Sequence, residues 1–238
     1  MEARSEESIH SIVRPFNEYE DDLRALFSED PPPNPSPSPY ANLVDIFKPG
    51  NPSKVKIRRS LRDPEKYLFP LQNPKPDGQK AIVQSLDEFR INFNAFTNSA
   101  FTTFSQSDWS NIIVAGGSVT MCLQAGIGSC TQQTESDIQQ HFLQVAPRSD
   151  IDIFIYGILD EGRAIDRILE FERKLKRRES TRVVRTRNAL TIVSGYPHRH
   201  IQIVLRLYRS ISEILTGFDV NCCCVAYNGE TVFGSPRG

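Results

Sequence analysis

The sequence predicts an α/β (α+β) protein, a mixed sheet flanked by helices over residues 79–238, behind an acidic, proline-rich, partly disordered arm at 1–78. Three observations carry that expectation. A short β-branched run, Asn111 to Ala115, leads into Gly116-Gly117-Ser118. A second apolar run, Ser149 to Gly157, holds two carboxylates one residue apart. After one helical stretch, several short β-rich runs follow at hairpin spacing, which favours strands over helices.

Composition sets the bounds. At 238 residues, with 39% hydrophobic and 24% charged side chains, the chain suits one sizeable domain plus an appendage. No apolar run reaches the roughly 20 residues needed to span a bilayer. The acidic start, Met1 to Glu7, lacks the apolar core of a secretory signal, so cytosol or nucleus is expected. Five cysteines, three of them consecutive at Cys222-Cys223-Cys224, show no zinc spacing and read as small hydrophobes in a reducing compartment. Charge is uneven. Residues 1–30 carry nine acidic and three basic side chains, and residues 163–209 thirteen basic and four acidic. A basic half can attract a polyanion such as a nucleotide or RNA, although a solvated basic surface is the more frequent explanation.

Taken in order, Phe16 to Ser28 predicts a short amphipathic helix with Tyr19, Leu23 and Leu26/Phe27 on one face. Six prolines between Pro31 and Pro39 predict an extended linker, and residues 40–78 predict loops with one or two short helices. From Gln79, the spacing of Ile82, Leu86, Phe89, Phe93 and Phe96 predicts a helix of about five turns. Val119 to Ala125 predicts a helix beginning at the glycine-serine corner. Residues 126–149 read as an insertion with a short helix from Asp137 to Val145, capped by Ser136 and Gln139.

Glu161 to Arg178 predicts a helix with Ala164, Ile168, Phe171 and Leu175 buried. The cations at its end complement the helix dipole. Strands are predicted at 182–186, 190–194 and 200–207, a short helical turn at 211–216, and a final strand from Phe218 to Tyr227. His198 and His200 are expected on the surface of a hairpin turn, and Asp160, Asp166 and Glu170 on solvated helix positions.

The chemistry concentrates in two places. Strand side chains alternate, so Asp150 and Asp152 share a face while Ile151 and Ile153 take the other. Two carboxylates crowded on a largely buried strand repel each other and resist desolvation. A divalent cation relieves both costs, and oxygen ligands suit Mg²⁺ or Mn²⁺. Glycines at 116 and 117 let backbone N–H groups approach a phosphate, and Ser118 offers a hydroxyl donor. Metal-held aspartates beside a triphosphate can orient a hydroxyl for in-line nucleotidyl transfer.

In this order of motifs the sequence resembles the polymerase-beta-like nucleotidyltransferase superfamily, whose signature is h-G-[GS] followed by D-h-[DE]-h. The matching residues are Ala115-Gly116-Gly117-Ser118 and Asp150-Ile151-Asp152-Ile153. The resemblance implies metal ligation by Asp150 and Asp152 and a triphosphate cradle at Gly116, Gly117 and Ser118. Gly117 and Asp150 stand 33 positions apart, more than is usual there, and the helical insertion absorbs the difference. Residues 110–238 also look like the nucleotidyltransferase-like region of a fungal group of uncharacterised proteins, often joined to ankyrin repeats. No 33-residue ankyrin period occurs in this chain.

Active superfamily members add a third carboxylate from a neighbouring strand. Strand order puts Gln202 at that position, a neutral and poorer ligand. Asp219, read as the start of the last strand, competes for the role. The expected activity is therefore Mg²⁺-dependent transfer of NMP from an NTP to a hydroxyl on a protein, RNA or small molecule, with Asp150, Asp152 and Asp219 acting. The alternative is a degenerate fold that binds nucleotide or protein without turnover, its N-terminal arm facing a protein partner.

Overall fold

A computed structural model describes residues 9–29, 37–52, 56, 78–127, 134–175 and 181–238. Their centre is an eight-stranded mixed sheet flanked by helices. In chain order the strands are β1 (Val44–Asp45), β2 (Ile112–Ala115), β3 (Ile151–Tyr156), β4 (Arg182–Arg185), β5 (Ala189–Val193), β6 (Ile201–Tyr208), β7 (Val225–Tyr227) and β8 (Val232–Gly234). The helices are α1 (Ile9–Ser28), α2 (Leu86–Phe96), α3 (Gly117–Leu123), α4 (Glu135–Val145), α5 (Glu161–Lys174) and α6 (Ile211–Thr216). Across the sheet the order is β1-β8-β7-β2-β3-β6-β5-β4. β3 and β6 run parallel, and every other neighbouring pair is antiparallel.

The two faces of the sheet differ. Ile112, Val114, Ile151, Ile153, Ile155, Ile201 and Ile203 look into the larger core, where they meet Phe89, Phe93 and Phe96 of α2, Phe142 of α4 and Phe171 of α5. Ile113, Ala115 and Phe154 look the other way, onto Ile211, Ile214 and Leu215 of α6. Asp152 belongs to this second face by alternation along β3. Its partners across the sheet are Ala115 on β2 and Gln202 on β6, with Thr191 of β5 beyond.

Several expectations shift at their boundaries. α2 has 11 residues, about three turns rather than five. The Ser85 side chain accepts from the Glu88 N–H and starts the helix there, while Ile82 bridges to Gln124 outside it. α4 is capped by Thr134 and Asp137, two residues earlier than Ser136 and Gln139. Asp160 is the N-cap of α5, accepting from the Arg163 N–H, rather than a solvating carboxylate. The α5 stripe lies inward as expected, with Ala164, Phe171 and Leu175 buried. Lys176, Arg177 and Arg178 fall outside the described residues.

The predicted last strand is the largest difference. Residues 221–223 form a 3-10 turn, and pairing begins only at Val225. The Thr120 hydroxyl donates to the Cys222 carbonyl at 2.6 Å, and the Cys224 N–H closes back on Asn221, so the backbone turns instead of extending. β8 then returns as a hairpin partner of β7. A Cβ at Gly229, in the connection, would lie 2.3 Å from the Trp109 ring, which explains glycine there.

Within residues 1–78, α1 is longer than expected. Leu23 and Phe27 are buried, whereas Tyr19 stays 46% exposed. α1 packs along α6, and its buried Glu20 holds Arg237 at 2.5 Å near the other end of the chain. β1 extends the sheet by pairing with β8. Residues 30–36 of the proline run, and residues 53–55 and 57–77, lie outside the described residues.

Candidate functional site

The candidate site is where β2 ends and β3 begins. Gly116 has φ +90°, a left-handed conformation that a Cβ would strain. Its N–H donates to the Val225 carbonyl at 3.0 Å, which ties the corner to β7. A Cβ on Gly116 would sit 4.0 Å from Asp152 Oδ2 and 3.8 Å from the Phe218 ring. The glycine corner and the carboxylate are therefore direct neighbours, brought together by the Ala115–Asp152 pair. Gly117 faces open space, with nothing within 4 Å of a Cβ built on it. Ser118, in the first turn of α3, is buried, and its hydroxyl has no hydrogen-bond partner among the described residues.

Asp152 is half-buried, and Asp150 precedes β3 by one residue on the same face. Burial pushes the Asp152 carboxyl above the usual carboxylate range, and the neighbouring Asp150 charge adds to the push. Neither aspartate forms an ion pair with a described residue. Gln202 stands beside Asp152 in register on the parallel strand, so the neighbouring position carries an amide, not a carboxylate.

Asp219 is exposed on the segment between α6 and the 3-10 turn, not at the start of a strand. Among the described residues no group of three His, Cys, Asp or Glu side chains could hold a metal ion. The donors that remain are two carboxylates and an amide oxygen. Mg²⁺ commonly uses one or two protein carboxylates plus substrate phosphates, so this set fits a magnesium-bound triphosphate. The orphaned Ser118 hydroxyl and the open space at Gly117 fit it as well.

Arg199 was not singled out by the sequence. It is 7% exposed, and its guanidinium donates to the carbonyls of Phe96 (2.9 Å), Phe142 (3.1 Å), Ala146 (2.5 Å) and Ser149 (3.0 Å). The group also stacks 3.8 Å from the Phe96 ring centroid. Two of these carbonyls belong to the last turns of α2 and α4; Phe96 ends its helix, while the Phe142 carbonyl also accepts from the Ala146 N–H. The last of the four precedes Asp150. Arg199 thus fixes the start of β3, near enough to Asp150 for the two charges to interact. Its neighbours His198 and His200 are half-buried rather than on the surface: His198 meets Asn98, and His200 Nδ1 accepts from the Ser194 N–H. A lone arginine between two histidines in a turn carries no local pattern that would have flagged it.

Residues 87–237 match the family model described as Gabija anti-defense 2 family protein. The chain belongs to that family. It is also 27% identical over 179 residues to an uncharacterised protein of Acanthamoeba polyphaga mimivirus. That alignment covers 68% of this chain and 34% of the viral protein, so the chain aligns with about a third of its relative's length. No solved structure matches the chain. Among the described residues no helix is long and apolar enough to cross a membrane.

Proposed function

We propose that the chain is a nucleotidyltransferase-like, nucleotide-binding protein that holds a nucleoside triphosphate with Mg²⁺ or Mn²⁺. Asp150 and Asp152 hold the cation, and Gly116, Gly117 and Ser118 receive the triphosphate. The observation that carries this reading is the closeness of the left-handed Gly116 to the half-buried Asp152 carboxylate, which has no ion-pair partner among the described residues. Such a carboxylate is costly without a cation and well used with one. When bound, the cation supplies a positive charge directly against the two carboxylates.

Gln202 supports binding over rapid turnover, because the strand neighbour of Asp152 lacks the third acid. The reading in which NMP passes to a hydroxyl acceptor is favoured by the intact Asp150–Asp152 pair alone. The family description supplies the setting, action against a defence named Gabija. The test uses purified full-length chain with each labelled NTP and Mg²⁺ or Mn²⁺, beside Asp150→Ala/Asp152→Ala. Cation-dependent binding lost in the double variant supports the proposal. Binding that ignores both the cation and the substitutions rejects it. Label transferred to an acceptor, and lost in the double variant, would make the protein an enzyme.

A further inference from the structure

Two residues along β3 from Asp152, about 7 Å at strand rise, Phe154 stands on the same face. Its ring meets Phe218 at 5.6 Å and Tyr208 at 5.8 Å between centroids. Phe218 is the ring that also lies against Gly116. These three aromatics line a cleft of about 180 Å³ together with Arg24 from α1, Arg206 from β6 and Glu213 from α6. A cavity of roughly 150 Å³ holds a benzene ring, so this one accommodates an aromatic heterocycle.

The walls are held in place. Arg24 donates to the Thr216 carbonyl at 3.1 Å and pairs with the buried Glu20 at 2.7 Å. Glu20 also grips Arg237, which donates to the Phe218 carbonyl at 2.8 Å. α1 therefore both supplies a cation to the cleft and anchors the segment that presents Phe218. Arg206 lies 4.9 Å over the Tyr208 ring, so its planar cation already faces an aromatic surface.

We propose that this cleft receives the nucleobase of the triphosphate whose phosphates sit at the Gly116 corner. The proposal rests on the triphosphate reading above. A flat, apolar-faced base suits a slot lined by aromatic rings and arginine side chains, where stacking and cation–π attraction add. The continuity is physical, since Phe218 is a wall of both the cleft and the corner. α1, in sequence part of the N-terminal arm, is then a component of the nucleotide site.

The test compares two probes on the full-length chain by calorimetry in Mg²⁺: inorganic tripolyphosphate, which has no base, and ATP. The expected result is ATP binding at least tenfold more tightly than tripolyphosphate. Arg206→Ala should weaken ATP about tenfold, at the scale of one lost base stack, and leave tripolyphosphate unchanged, whereas Phe218→Ala, which removes a ring that also walls the Gly116 corner, should weaken both probes. Arg206 is exposed, and its guanidinium also pairs with the buried Glu213 at 3.4 Å. Tripolyphosphate binding therefore serves as the control that Arg206→Ala is folded. Equal affinity for the two probes, or ATP binding untouched by Arg206→Ala, overturns the base cleft and leaves the triphosphate site standing. Absence of binding by both probes rejects the triphosphate site and the cleft with it.

Discussion

Two charged features meet at the same end of the sheet, and they are handled in opposite ways. Arg199 is nearly sealed from water, and its guanidinium donates to four carbonyls and lies on an aromatic ring. Asp152 is half-buried beside a second carboxylate and has no ion-pair partner among the described residues. A buried charge that is fully hydrogen-bonded is part of the scaffold. A half-buried charge left without a counter-charge is a cost the fold carries, and such costs gather where a ligand is bound. The contrast separates the residue that builds the site from the residues that use it.

The largest expected effect falls on the scaffold side. Arg199→Met removes a donor from four carbonyls, of which Phe142 and Ala146 keep a backbone N–H, and a loss of about 3 kcal/mol is expected in urea unfolding, as when a buried polar network is broken. Arg199→Lys should recover less than half of it, because one ammonium cannot reach both helix ends. A loss under 1 kcal/mol would break the comparison by making Arg199 dispensable.

On the other side, Gln202→Glu puts a third carboxylate in register with Asp152. Cation affinity should rise about tenfold, roughly 1.4 kcal/mol, and nucleotidyl transfer should become measurable above the parent protein. Unchanged cation affinity would mean that position 202 does not face the site.

Asp152→Asn removes one of two repelling charges and should be neutral or stabilising by about 1 kcal/mol in metal-free buffer. A destabilisation of similar size would instead make Asp152 structural, like Arg199.

The smallest effect is in pH. The folded-state pKa of Asp152 lies above its ordinary value. The folded protein therefore binds this proton more tightly than the unfolded chain does. The resulting stabilisation is present below the unfolded pKa and is lost as pH rises through the raised folded value. Metal-free stability should fall by a fraction of a kcal/mol across that window in the wild type, and the step should vanish in Asp152→Asn. Cation binding should run the other way and strengthen as pH rises through it.

Much of this was legible locally. The alternation of Asp150-Ile151-Asp152-Ile153 gave the two faces of β3, and the runs at 182–186, 190–194 and 200–207 became β4, β5 and β6 within a residue or so. The expected strand order beside Gln202 corresponds to the observed β3–β6 register. What stayed hidden depends on contacts far apart in sequence. The Cys222–Cys224 run has strand composition, but the Thr120 hydroxyl bends it, and Asp219 therefore lies on an exposed segment. Ile82 continues the periodicity of α2, but Ser85 caps the helix after it. Arg199 bonds to carbonyls 50 to 103 residues away, which no local pattern encodes. The family match adds an anti-defense description and no chemistry, so the site rests on geometry.

The most direct measurement is a calorimetric titration of the full-length chain with ATP, with and without Mg²⁺, beside Asp150→Ala/Asp152→Ala. Saturable, magnesium-dependent binding that weakens at least a hundredfold in the double variant, with unfolding free energy unchanged or raised, is the predicted result. Binding of equal strength in both proteins, or a double variant as destabilised as Arg199→Met, would contradict the division between a structural charge and a ligand-holding pair.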